Sequence, residues 1–147
     1  MTDSSSPRGK VEPQEAGAIR NPVLGTLGGQ ITRLFLEGGL GRSVIRFEVP
    51  TAFTNTLGVL QGGIGSAFLD AAMAYAFIAQ VGLEIGFTSV SLSTNFLRAV
   101  PEGTITAHGR VVSAGKTFVF LEADLVNSRR AVCMKATSTA MLLKPNQ

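Results

Sequence analysis

The sequence predicts an α+β domain: a curved antiparallel sheet of about six strands wrapped around one long apolar helix. Three observations predict it. From Ile64 to Ala79 every residue is apolar or small except Asp70. Two strand-like segments precede that run and four follow it, all rich in β-formers and separated by short turns. No second stretch of comparable helical length interrupts them, so the order reads ββ-α-ββββ. Antiparallel strands with a single helix must bury that helix against the sheet. A helix apolar on every side needs cover on every side. The sheet can wrap part of it, and something else must close the remainder.

The elements follow in order. Residues 1 to about 20 are rich in Ser, Pro, Glu and Lys without apolar periodicity, and read as a flexible tail whose charges cancel. Residues 21–147 read as a single domain. The strand pattern begins at about Gly28 with Gly29–Glu37, and a second strand, Ser43–Pro50, follows the turn Gly38-Gly39-Leu40-Gly41-Arg42 to make a hairpin. In the second strand Val44, Arg46 and Glu48 alternate with Ile45 and Phe47, the signature of a sheet with one buried face. A loop, Thr51–Gln61, leads into a helix at about Gly63–Val81. The four later strands are Ser89–Leu97, Gly103–Ala114, Thr117–Asn127 and Arg130–Leu142, punctuated by Pro101-Glu102-Gly103, Ala114-Gly115-Lys116 and Asn127-Ser128-Arg129.

The totals exclude several function classes. The chain has 147 residues, 45% hydrophobic, with a net charge of +3, too small to argue for nucleic acid. The positive excess belongs to residues 85–147, with seven Lys/Arg against three Asp/Glu, which favours an anionic ligand there. The single cysteine, Cys133, lies in an apolar strand, rules out an internal disulfide and fits a reducing compartment. No apolar stretch occurs in residues 1–16, and the apolar run of about 16 residues carries an Asp and is too short to span a bilayer. A soluble, cytoplasmic protein without membrane or nucleic-acid partners is expected. One His, one Cys and no clustered carboxylates offer no material for a metal site.

Local residues narrow the fold. Gln61-Gly62-Gly63, with Asp70 eight positions after Gly62, resembles the His-Gly-Gly…Asp/Glu signature of hotdog-fold acyl-CoA thioesterases, in the branch containing the phenylacetate-degradation and 4-hydroxybenzoyl-CoA enzymes. The resemblance continues through Asn55-Thr56-Leu57-Gly58, through the segment from Ser89 to Gly103 and through Val111–Thr117, covering about residues 28–143. It implies Asp70 as general base or nucleophile, Gly62 and Gly63 as backbone donors to the oxyanion, and Gln61 and Asn55 as groups positioning thioester and water. It also implies Ser89 as a hydroxyl beside the acid, and Gly115 and Lys116 near the pantetheine and nucleotide of CoA. Coenzyme A would enter as part of the substrate, with no separate cofactor. The family's His is Gln61 here; an amide can donate a hydrogen bond but cannot shuttle a proton near neutral pH.

The residues support this chemistry on their own terms. An ionised Asp in apolar surroundings is costly, and burial raises its pKa towards values useful to a base. Glycines at a helix start let a ligand approach unpartnered N–H groups. Eight residues of helix span about 12 Å, and a base must come within about 3 Å of its partner. Asp70 therefore cannot act on a carbonyl held at the start of its own helix, and a second copy across a two-fold axis must complete the site and cover the helix. A homodimer is expected, with a homotetramer left open. Thr117, Arg98 and the pair Arg129-Arg130 are further candidates for the phosphates of CoA. By position, Phe53, Leu57, Met73 and Phe77 are candidates to line an apolar acyl pocket. His108, the only histidine, falls on a late strand, away from where hotdog dehydratases keep theirs. The remaining rival is a non-catalytic acyl-CoA or acyl-ligand binding dimer, for which Gln61 speaks and against which Asp70 speaks.

Overall fold

The structure, a computed structural model, describes residues 21–144. The tail expected over residues 1–20 lies outside them. Two helices and six strands follow in order: α1 (Pro22–Thr26), β1 (Gln30–Glu37), β2 (Leu40–Val49), α2 (Gly62–Val81), β3 (Phe87–Phe96), β4 (Gly103–Ala114), β5 (Phe118–Val126) and β6 (Val132–Leu142). A single antiparallel sheet has the order β1-β2-β4-β5-β6-β3 and curls around α2, which is the hotdog arrangement.

Three boundaries differ from expectation. The short helix α1 was not anticipated. Asn21 caps it by accepting the Leu24 N–H, and Pro22 occupies the first helical turn, where a missing N–H costs nothing. Leu24 and Leu27 anchor it in the core. The β1–β2 turn is only Gly38-Gly39, both at positive φ, a conformation that suits glycine and matches the twist of a hairpin. Leu40 to Arg42 consequently belong to β2. The helix starts at Gly62 and has 20 residues, so by length and composition it could cross a membrane. The expectation that it is too short is wrong, because the polar and glycine residues flanking the apolar run are helical too. Its seat inside the sheet makes it the core helix of the fold.

That seat depends on glycine. Cβ atoms placed on Gly41 and Gly109 would run into the carbonyl groups of Ala76 and Ala72, one helical turn apart on α2. The Ser43 hydroxyl donates to the Ala72 carbonyl at 2.6 Å, and the Gly41 N–H donates to Gln80 Oε1 at 2.9 Å. Two strands thus press directly on the helix backbone, with the flat pair Phe47 and Phe68 stacked beside them at 4.0 Å. Gly109→Ala should cost about 3 kcal/mol, the upper range for overpacking, since backbone and not a flexible side chain stands in the way. Urea denaturation checks it; a cost under about 1 kcal/mol would show that the helix can lift off the sheet freely.

The strand β3 is different. It pairs only with β6, and its other edge is open. Thr94 and Phe96 face α2 from it, yet Phe96 remains 60% exposed, because the helix leans on β2 and β4 and leaves β3 largely uncovered. A long open edge with exposed Val90 and Leu92 is the kind of edge that takes a further strand.

Candidate active site

Three contacts along one face of the first half of α2 bridge it to β3. At the helix start the Phe96 ring lies over Gly62, close enough that a Cβ there would come within 2.9 Å of it. One turn on, Ser66 Oγ meets Thr94 Oγ1 at 3.0 Å. One turn further, the Ser89 hydroxyl donates to Asp70 Oδ1 at 3.4 Å. Residues 62, 66 and 70 share one helix face because four residues nearly complete a turn. Ser89 reaches the acid because the irregularity between Ser89 and Ser91 shifts the strand register there.

Asp70 is half-buried and is not in an ion pair among the described residues. Burial pushes its pKa above the ordinary carboxylate value, and the Ser89 hydrogen bond offsets part of that rise. An acid so placed can take up a proton at a higher pH than a solvated one.

At the other end of the face, Gln61 is the residue preceding the helix, and its side chain caps nothing. The N–H groups of Ile64 and Gly65 donate to the Gln61 carbonyl, whereas those of Gly62 and Gly63 find no acceptor among the described residues. Gly63 has open space around it. Two free donors at a positive helix end form a place where negative charge is stabilised. Asn55 Oδ1 accepts the N–H groups of Leu57 and Val59, so its oxygen holds the loop and only its amide hydrogens remain to meet a ligand. Gln61 N–H donates to the Phe53 carbonyl, tying that loop to the helix start.

The structure therefore sorts the candidates. Asp70 and Ser89 come together; Gly62, Gly63, Gln61, Asn55 and Phe53 gather two helical turns away. Leu57 stands at 83% exposure on the loop. Met73 and Phe77 do not face a cleft: both are 1% exposed, and Phe77 packs edge-on against Phe87. Arg98 is occupied, donating to the Val132 carbonyl at 2.7 Å, and Arg129 and Arg130 sit exposed in the β5–β6 turn with Arg130 at positive φ. Lys116 and Thr117 line a surface groove of about 700 Å³ at the opposite end of the sheet, and Gly115 turns the chain there by donating to the Phe118 carbonyl. His108 lies opposite Asp124 on the outer face of β4, remote from Asp70, and its pKa is lowered by partial burial. Cys133 is fully buried. Phe96 was missed by sequence reasoning; its only signal was its place in an alternating strand.

A half-buried acid with a hydroxyl beside it, and a separate pair of free backbone donors, are the parts needed to hydrolyse an activated carbonyl. Comparison with known proteins agrees. Residues 57–134 match the thioesterase superfamily, and the chain belongs to that family. It is 32% identical over 104 residues to an esterase-named protein of Saccharolobus solfataricus, across 71% of this chain and 67% of the relative. A thioesterase-named, phenylacetic acid degradation-related protein of Ralstonia eutropha is similar in structure, with a TM-score of 0.76, 28% identity, and coverage of 82% of this chain and 89% of that one. The PaaI protein from the phenylacetic acid degradation operon of E. coli shares the fold at 21% identity, with a TM-score of 0.78 over 91% of this chain and 93% of its own. The protein is a hotdog-fold thioesterase, a thioester hydrolase.

Proposed function

We propose that the protein hydrolyses acyl-CoA to free acid and CoA at sites shared between two copies of the chain. The observation that carries this reading is the separation within one protomer. Asp70 lies eight residues, about 12 Å, beyond Gly62, whose N–H is free together with that of Gly63, while the open edge of β3 runs beside it. Pairing of two copies along that edge, antiparallel about a two-fold axis, brings the helix start of one towards Asp70 of the other and covers the exposed side of α2.

In this reading the thioester carbonyl oxygen accepts from Gly62 N–H, with Gly63 beside it. Gln61 and Asn55 donate amide hydrogens to the substrate or to water. Asp70 of the other copy takes a proton from water as it attacks the carbonyl carbon. The tetrahedral intermediate collapses with cleavage of the C–S bond, and the thiolate of CoA recovers the proton. Ser89 holds the carboxylate in place. Attack by Asp70 itself, through a mixed anhydride that water then opens, uses the same atoms. The lone, buried Cys133 suits a reducing, cytoplasmic setting.

Incubation with a panel of short, long and aromatic acyl-CoAs, with a thiol-reactive dye reporting free CoA, tests the proposal. Thiol release that saturates with at least one acyl-CoA is expected. Tight acyl-CoA binding with no release from any member would instead identify a binding protein, the role Gln61 would permit.

A further inference from the structure

The Phe96 side chain is 60% exposed, so burial in the core does not explain where it sits. Its ring rests on the first residue of α2, where a Cβ on Gly62 would come within 2.9 Å of it. Gly62 is not at positive φ, so its backbone conformation alone does not call for glycine. The ring does. Three residues on, Gly65 receives the Met134 side chain in the same way, and Met134 is the cross-strand neighbour of Phe96. Residues three apart share a helix face. An aromatic ring and a thioether, paired across β3 and β6, thus press on the backbone of the first helical turn.

The end of β3 is clamped where it delivers the ring. The N–H groups of Leu97 and Arg98 both donate to the Cys133 carbonyl, at 2.8 and 3.0 Å. The Arg98 guanidinium donates to the Val132 carbonyl at 2.7 Å. The two residues after Phe96 therefore grip β6 through three donors. On the other side of the ring, Thr94 meets Ser66 of α2 at 3.0 Å. These restraints converge on the turn whose Gly62 and Gly63 N–H groups find no acceptor among the described residues.

A fixed donor is worth most where water can neither compete for it nor weaken its field. We propose that Phe96 is a positioning residue for the oxyanion: its ring holds the Gly62 peptide in place and keeps water from one side of that N–H. The inference rests on the reading of Gly62 as an oxyanion donor and adds the side chain that makes the donor effective. Its effect belongs to the developing negative charge, hence to kcat, and is the same whichever acyl group the substrate carries.

The test compares kcat and KM of wild type and Phe96→Ala on a short, a long and an aromatic acyl-CoA. The variant should lose about tenfold in kcat on each ester that wild type hydrolyses, with KM within about twofold; losing the donor itself costs ~10²–10³. Phe96→Tyr, which keeps the ring, should restore kcat. Gly62→Ala retains the N–H, but its methyl group displaces the ring, so it should lose as much as Phe96→Ala. The two substitutions together should lose no more than either alone. An unchanged kcat in Phe96→Ala or no restoration by Phe96→Tyr overturns the assignment. So does a loss that appears in KM or varies with the acyl group, and so do losses that add in the double variant. Should wild type release thiol from none of the three esters, the hydrolase reading fails separately, and amide hydrogen exchange decides the role of the ring. Exchange of the Gly62 N–H about fivefold faster or more in Phe96→Ala, with Gly63 unchanged, then supports it, and an unchanged Gly62 rate overturns it.

Discussion

Replacing Asp70 by Asn will lower thioester turnover by a factor of ~10²–10⁴, the range that positioned acid–base groups contribute, and will raise the melting temperature at neutral pH. Both effects come from the same burial. The wild-type carboxylate must be ionised to accept a proton, and its surroundings disfavour the ionised form. Activity should therefore fall as pH drops through a pKa above the ordinary value of 3.8. The stability effect has the opposite sense. A carboxyl whose folded pKa is raised binds more protons folded than unfolded, so its contribution weakens as pH rises from 3.8 through the folded pKa. Asn has no charge to desolvate, so the variant's advantage should be greatest at neutral pH and vanish below about pH 4, near the unfolded pKa of Asp. Initial rates and thermal melts across pH 4–8 measure both. Full activity in the variant would remove Asp70 from the mechanism, and a variant less stable at every pH would mean that the carboxylate is a structural hydrogen-bonding group.

The fold was legible because its elements follow simple periods. Alternation in β2 placed Ile45 and Phe47 inward, and the long apolar run announced α2. Asp70 was legible for the same reason, as the one charge where a charge is costly. The orientation of α2 was not. A helix apolar on all sides carries no pattern saying which face meets the sheet, so Met73 and Phe77 read equally well as pocket lining or as core. The glycines of β2 and β4 settle the matter, since the sheet approaches closest at Ala72 and Ala76 and turns Met73 and Phe77 inward. Phe96 was obscure because its contact with Gly62 depends on the register of β3 against the helix.

Mixing two inactive variants should restore activity if each site is built from two copies. Gly62→Pro is suited to the donor side. Gly62 is the first helical residue, where proline is tolerated, and Gln61 before it already has φ −62° and ψ 130°, the extended conformation that a residue preceding proline favours. The substitution removes one N–H and leaves the helix in place; the ring must displace Phe96, whose exposed side chain can move. Loss of one oxyanion donor costs ~10²–10³ in kcat. Co-expressed with Asp70→Asn under separate affinity tags, a heterodimer then holds one site with both defects and one with neither. Such a heterodimer should recover about half the wild-type rate per dimer, as two equivalent sites related by a two-fold axis require. Sites confined to single protomers give a different result: every site keeps one defect, and the heterodimer is as slow as its parents. Recovery of activity thus depends on geometry alone, on whether the partner's helix start can reach an acid that its own helix start cannot.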